Sequence, residues 1–207
     1  NSMKWTLKDV IKETNHPFLN YYTLKYDVEK DDGKHYSYDY YMVSRRDLAH
    51  LLPKTHQYRR PDAVMFPLYQ VDENGKIKIL FTRQFRPAMG TYLMSFPAGL
   101  MDPEDKTIED TMRREAKEEA GAIIDDIELL SYPAPTSSGF SDEINALGMA
   151  RIVSIGSQHL EEFEDISRKL IPLGEVPEMM KHPETYYFPC NVTLFLLYFL
   201  ERFKGRY

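Results

Sequence analysis

Glu115, Glu118 and Glu119 are the residues of this chain whose type and spacing point most directly to chemistry. On a helix they stand at i, i+3 and i+4 and share one face. Each like-charge neighbour there costs roughly 0.2–0.5 kcal/mol. A hard divalent cation removes that penalty, and Mg²⁺ takes carboxylate oxygens together with substrate phosphates. Arg114 reaches Glu118 at i, i+4 and can hold one carboxylate in place. An isolated Glu-Glu pair reads as a solvated acidic face. The run Phe96-Pro97-Ala98-Gly99-Leu100-Met101-Asp102 just ahead of it, a glycine loop feeding the helix, sets this segment apart.

The helix carries its own boundary signals. Thr107 fits the N-cap, Asp110 three residues on completes a capping box, and Gly121 suits the C-terminal cap. Ile108, Met112 and Ala116 recur every four residues as a stripe for burial. Further out, residues up to about 58 read as a separate piece. After a short amphipathic start (Leu7, Val10, Ile11), 21–28 alternates like a strand, Asp31-Asp32-Gly33 makes a turn, and 35–43 returns as a tyrosine-rich strand. Such a hairpin is marginal alone and needs a surface to pack on. From Ala63 the pattern is mixed α/β. Strands are expected at 64–69, 77–83, 91–96, 127–132, 146–153 and 170–173, with Asn74-Gly75 marking a tight turn. Helices are expected at 174–181 and from about 191 onward.

Composition sets outer limits. The 207 residues hold one substantial core and a small added lobe. A net charge of −6 argues against a nucleic-acid polymer as partner, which would need a basic stripe. It does not exclude a small anionic substrate neutralised locally by metal ions and a few arginines. Cys190 is the only cysteine, so no intrachain disulfide forms and a reducing, cytoplasmic setting is expected, with the thiol packed in the core. No stretch resembles a secretory leader, and the apolar run 192–200 is half the ~20 residues of a membrane span. That run is expected to be a buried C-terminal helix, and no membrane partner is expected.

With Gly99, Arg114, Glu115, Glu118, Glu119 and Gly121 in place, the segment resembles the Nudix box. That motif is a glycine, five residues, Glu, seven residues, then Arg-Glu-aliphatic-x-Glu-Glu-x-Gly-aliphatic. Here fourteen residues separate Gly99 from Arg114 where the motif has thirteen, and Glu104 and Asp105 are the candidates for its first acid. The aliphatic positions hold Ala116 and Ala122. The likeness extends to Arg83-Gln84-Phe85-Arg86-Pro87, Met89-Gly90, Ser138-Gly139-Phe140-Ser141-Asp142-Glu143 and Ile171-Pro172-Leu173-Gly174-Glu175-Val176. These stretches are similar to the surroundings of the box in ADP-ribose pyrophosphatases.

The resemblance implies an α/β (α+β) fold, an α/β/α sandwich around a mixed sheet with a small N-terminal β-rich lobe. It divides the chain into a hairpin lobe at 1–58, serving as substrate platform and dimerisation element, and a hydrolase domain at 59–207. It implies Mg²⁺, or Mn²⁺ as the alternative, held by Glu115, Glu119, Glu118 and the carbonyl of Ala98. Glu164, on a loop with Glu161, Glu162 and Asp165 beside it, is the implied base, with Glu118 and Arg114 in the catalytic group. Substrate contacts fall to Arg86 for the diphosphate, Gly99, Tyr38 as adenine platform with Tyr21 or Tyr22, and Phe140 as wall or support. The implied reaction is hydrolysis of a nucleotide sugar, ADP-ribose first, by a homodimer joined through the N-terminal lobe. Ser95 and Ser138 replace the glutamate and proline usual in that subfamily, which keeps an ADP- or GDP-hexose open. A Nudix-like domain that binds a nucleotide without cutting it is the rival from another class.

Overall fold

Alternating tyrosines and aliphatics near the N-terminus form a sheet in the computed structural model, which describes residues 2–207. The chain divides into two compact units, one of residues up to Asp62 with Pro133–Asn145, the other of Ala63–Tyr132 with Ala146–Tyr207. In the first unit β1 (Lys4–Lys12), β2 (Asn20–Glu29) and β3 (His35–Ser44) make an antiparallel meander in the order β1-β2-β3. The amphipathic start is therefore a third strand, and Leu7 and Val10 pack against the buried Tyr22, Leu24 and Met42. This third strand gives the hairpin the packing surface it lacks by itself. A one-turn helix α1 (Leu52–Thr55) follows, with Leu51 completing the small core.

The second unit is built on an eight-stranded mixed sheet. Its strands are β4 (Ala63–Met65), β5 (Leu68–Val71), β6 (Ile77–Arg86), β7 (Thr91–Ser95), β8 (Ala98–Leu100), β9 (Ala122–Pro135), β10 (Ile144–Ile155) and β11 (Ile166–Pro172). The order is β11-β6-β5-β10-β4-β8, with β7 on β6 and β9 on β10. β6 pairs antiparallel with β11 along one edge, and with β5 then β7 along the other. β10 runs parallel to β5. The expected single strand at 64–69 is broken, because β4 pairs with β8 while β5 pairs with β6. Pro67 has no N–H to give a ladder, so the chain changes neighbours there, and the Phe66 N–H donates to the Pro97 carbonyl at 2.9 Å.

Period-two alternation along β6 sorts its side chains to two cores. Ile77, Ile79 and Phe81 join Val192, Phe195, Leu196 and Phe199 of helix α4 (Cys190–Arg202), counted after α2 (Ile108–Ala120) and the one-turn α3 (Val176–Met179). Leu80 and Leu68 join Met112, Ala116 and Ala120 of α2. Helices thus cover both faces, and the unit is an α/β/α sandwich. Small residues let α2 sit close. Ala116 is fully buried, and a Cβ on Gly148 of β10 would lie 2.8 Å from the Met112 thioether.

Three sequence expectations change here. The helix expected at 174–181 is a 3₁₀ turn, Leu173–Glu175, followed by α3, with Pro177 in its first turn. α4 buries one face only, since Leu194, Leu197 and Tyr198 are exposed. Cys190 is the first residue of that helix and is exposed rather than packed in the core. Among the described residues no helix is long and apolar enough to cross a membrane.

Candidate active site

The box helix starts where its local signals place it. The Thr107 hydroxyl accepts from Asp110 N–H at 3.1 Å, and the Asp110 carboxylate accepts from Thr107 N–H at 2.9 Å, a complete capping box. At the other end Gly121 adopts φ 60°, the left-handed cap. The last carbonyls are then satisfied from a distant loop. Gly156 N–H donates to the Gly121 carbonyl at 2.7 Å, His159 N–H to Glu118 at 2.8 Å, and the Gln158 side-chain amide to Glu119 at 2.5 Å. The packing is tight, for a Cβ on Gly121 would fall 2.5 Å from the Gly156 carbonyl oxygen.

Of the three glutamates, Glu119 is the deepest, with 7% of its surface exposed. Its Oε2 accepts from the Ala98 N–H at 3.1 Å. Burial pushes its carboxyl up to about 8; the Ala98 N–H and the Arg86 charge oppose this, while the charges of Glu115 and Glu164 add to it. Glu115 is half-buried, and burial pushes it up to about 7, against Arg114 and with the charges of Glu118 and Glu164. Glu118 is the outer member, its side chain 45% exposed.

Arg114 ties the helix to the loop before it. Its Nη1 meets Glu115 Oε1 at 2.7 Å and Glu118 Oε2 at 3.2 Å. Its Nη2 donates to Asp105 Oδ2 at 2.8 Å and to the Leu100 carbonyl at 2.9 Å. Asp105, buried, also accepts from the Thr111 hydroxyl at 2.9 Å, and the Arg114 guanidinium beside it holds its carboxyl down at about 2. Glu104 is exposed. Of the two loop acids that the spacing left open, Asp105 is the one bound to Arg114.

Ala98 and Gly99 lie in β8, which pairs with β4 through Met65↔Ala98 and Val64↔Gly99. A Cβ on Gly99 would stand 2.0 Å from the Glu115 carboxyl carbon, so glycine is required for that carboxylate to lie against the loop. Among the described residues no three His, Cys, Asp or Glu side chains are already drawn together as a ready cation cage. Glu119 is spent on the Ala98 N–H and Glu115 on Arg114. One buried and one half-buried carboxylate, whose ionised forms are disfavoured, beside Ala98 and Gly99, nonetheless suit a divalent cation, because it takes oxygen donors and its charge favours their ionised forms.

Arg86, at the exposed end of β6, and Glu164, on the loop before β11, both exert their charges on Glu119. The structure thus gathers Ala98, Gly99, Arg114, Glu115, Glu118, Glu119, Arg86 and Glu164 in one unit. Tyr38 and Phe140 belong to the other unit. Tyr38 is exposed on β3, edge-on to Trp5 at 5.5 Å, and lines a cavity of about 380 Å³ with Tyr26, Tyr40 and Ser138. Phe140 is exposed and stands in a separate pocket beside Arg45 and Ser141. Tyr22 is fully buried, its hydroxyl bonded to the Arg46 carbonyl, which leaves Tyr21 as the accessible ring of that pair. Sequence reasoning missed the loop 156–165 as a support for the helix end. No short motif marks it, since its partners lie about forty residues away.

An α/β/α sandwich with one acidic helix seated under a glycine loop defines the class. The NUDIX domain profile matches residues 59–192, and the chain belongs to the Nudix family. No curated protein matches the chain. Among solved structures, a crystal structure described as an ADP compounds hydrolase is 17% identical with a TM-score of 0.67, over 99% of this chain and 97% of that one. At that identity it attests the fold.

Proposed function

We propose that the chain is a hydrolase that splits the diphosphate of a nucleoside diphosphate sugar, with ADP-ribose to AMP and ribose 5-phosphate as the first candidate. The observation that carries this reading is the seating of Glu115 and Glu119 against Ala98 and Gly99, with the Glu164 charge acting on both carboxylates and Arg86 on Glu119. The structural neighbour described as an ADP compounds hydrolase agrees with it.

Glu115, Glu119, Glu118 and the Ala98 carbonyl would hold Mg²⁺, with Mn²⁺ as the alternative; such an ion polarises a phosphoryl oxygen and offsets charge developing there. Arg86 binds the diphosphate through its guanidinium fork. Glu164 takes a proton from the attacking water as its oxygen bonds to phosphorus and the bridging P–O bond breaks. Arg114 holds Glu115 and Glu118 in register with the loop. The N-terminal lobe, residues 1–58, supplies aromatic surface for adenine, Tyr38 first and Tyr21 second, and Phe140, outside that stretch, serves as hydrophobic support or as a wall. The lobe also joins two chains as a homodimer, an assignment that a monomer in sedimentation would remove. A single exposed thiol is compatible with a cytoplasmic setting.

The test is incubation with ADP-ribose and Mg²⁺, with and without chelator, following AMP by chromatography. Chelator-sensitive AMP supports the reading. No AMP, but turnover of an ADP- or GDP-hexose, moves the substrate and implicates Ser95 and Ser138. Ligand-induced thermal stabilisation with no product from any nucleotide sugar overturns hydrolysis in favour of binding alone.

A further inference from the structure

Asp165, next to Glu164, is fastened to the β6–β7 hairpin from two directions. Its carbonyl accepts from Phe85 N–H at 3.4 Å, and its carboxylate accepts from the Tyr92 hydroxyl. The Tyr92 ring is itself fixed, with the Arg83 guanidinium 3.6 Å from its centroid and the Phe85 ring edge-on at 5.4 Å. Pairing of Ile166 with Gln84 and of Ser167 with Arg83 sets the register of this edge. Tyr92 pairs with Phe85 and so lies on the face of Phe81, that of α4. Asp165 continues the β6 edge through its backbone bond to Phe85, and Glu164 sits in the turn just before it, where its carboxylate accepts from the Glu161 N–H at 2.9 Å. There its charge acts on Glu115 and Glu119. The other end of the same loop is held by the carbonyls at the end of α2. The segment carrying Glu164 is thus anchored at both ends, and the nearer anchor is a side-chain hydrogen bond on the reverse side of the sheet.

We infer that Tyr92 is a positioning residue for catalysis: its hydroxyl clamps Asp165, and through that bond it aims Glu164 at the box helix from behind the sheet. The inference rests on Glu164 as the base. The bond is charge-assisted, and such bonds are worth more than neutral ones. Losing it frees the loop without touching the substrate. Tyr92→Phe keeps the ring under Arg83 and removes only the hydroxyl.

The experiment measures steady-state kinetics of Tyr92→Phe, Asp165→Ala and Asp165→Asn with and without Glu164→Gln, together with hydrogen exchange of residues 156–165. Tyr92→Phe and Asp165→Ala should each lower kcat about three- to thirtyfold, the worth of a misplaced catalytic group, with KM within about twofold. Asp165→Asn, whose amide oxygen still accepts from Tyr92, should recover most of the rate. In the Glu164→Gln background Tyr92→Phe should cost nothing further, because residues acting through one another are not additive. Exchange in the loop should quicken in Tyr92→Phe and return towards the parent rate in the fully paired Asp165→Asn protein. Unchanged loop exchange, or a kcat loss that persists at full size without Glu164, overturns the clamp. Unchanged turnover in Glu164→Gln with quickened loop exchange in Tyr92→Phe would keep the clamp and remove only Glu164 as base.

Discussion

Gly99 and Glu115 occupy each other's space: a Cβ added to the glycine would lie 2.0 Å from the glutamate's carboxyl carbon and 2.1 Å from its Oε1. The missing side chain is what lets a helix carboxylate lie flat against β8. Gly99→Ala must therefore turn Glu115 away, while the extended backbone of β8 accepts alanine. Activity should fall about a hundredfold, the cost of an ångström-scale misplacement, with far-UV circular dichroism unchanged. Activity within threefold of the parent would show that the Glu115 position is not needed.

Glu119 accepts the Ala98 N–H, and a glutamine oxygen can do the same. Glu119→Gln should thus fold normally and yet lose metal-dependent activity, because the charge is gone and the packing is not. Thermal unfolding and turnover measured on one sample decide it. Retained turnover would take the helix carboxylate out of the mechanism.

Glu164 acts on both Glu115 and Glu119 and Arg86 on Glu119, and their loss should register differently. Arg86→Ala should raise KM about tenfold or more and lower kcat less, because a charge-assisted contact to bound diphosphate is lost in ground and transition states alike. Glu164→Gln should lower kcat by roughly 10²–10⁴ with KM little changed, the usual worth of a general base. Steady-state kinetics on the two variants test both; a kcat loss below threefold would move the base to Glu161, Glu162 or another residue.

The raised carboxyls of Glu115 and Glu119 make metal-free stability depend on pH. Folded, they hold protons up to about 7 and 8; unfolded, they release them at the ordinary glutamate value. Between those limits the folded state binds more protons, so stability falls as pH rises. A divalent cation needs the ionised forms, so its stabilisation should grow across the same window. At Mg²⁺ near 100 times Kd the gain is about 2.7 kcal/mol, or about 5–10 °C in Tm for a chain of this size. Thermal melts at pH 5.5 and 8.5, with Mg²⁺ and with chelator, should show a small shift at the first and the full one at the second. Equal shifts at both would mean that these two groups do not receive the ion.

Residues 107–121 were legible because their bonds are local. The Thr107–Asp110 box, the Ile108–Met112–Ala116 stripe and the Gly121 cap each join positions at most a few residues apart. The strands at 20–29 and 35–44 were legible for a related reason, since side-chain alternation and a turn of Asp31-Asp32-Gly33 encode a hairpin without outside help. The break between β4 and β5 was hidden, because an unbroken apolar run looks alike whether it pairs with one strand or two. The exposure of Cys190 was hidden because it opens α4, and which face of that helix is buried is decided by the sheet it packs on.

By itself the sequence determined which acids exist, that three of them share a helix face, and where that helix begins and ends. These follow from spacing and capping within one or two turns. Tertiary structure alone decided that Glu119 is buried and Glu118 is not, that Asp105 rather than Glu104 pairs with Arg114, and that the loop bearing Glu164 is pinned between the end of α2 and Tyr92. Those outcomes depend on which surfaces exclude water and which distant backbone groups remain to be paired. Both are settled only when the sheet closes over the helix.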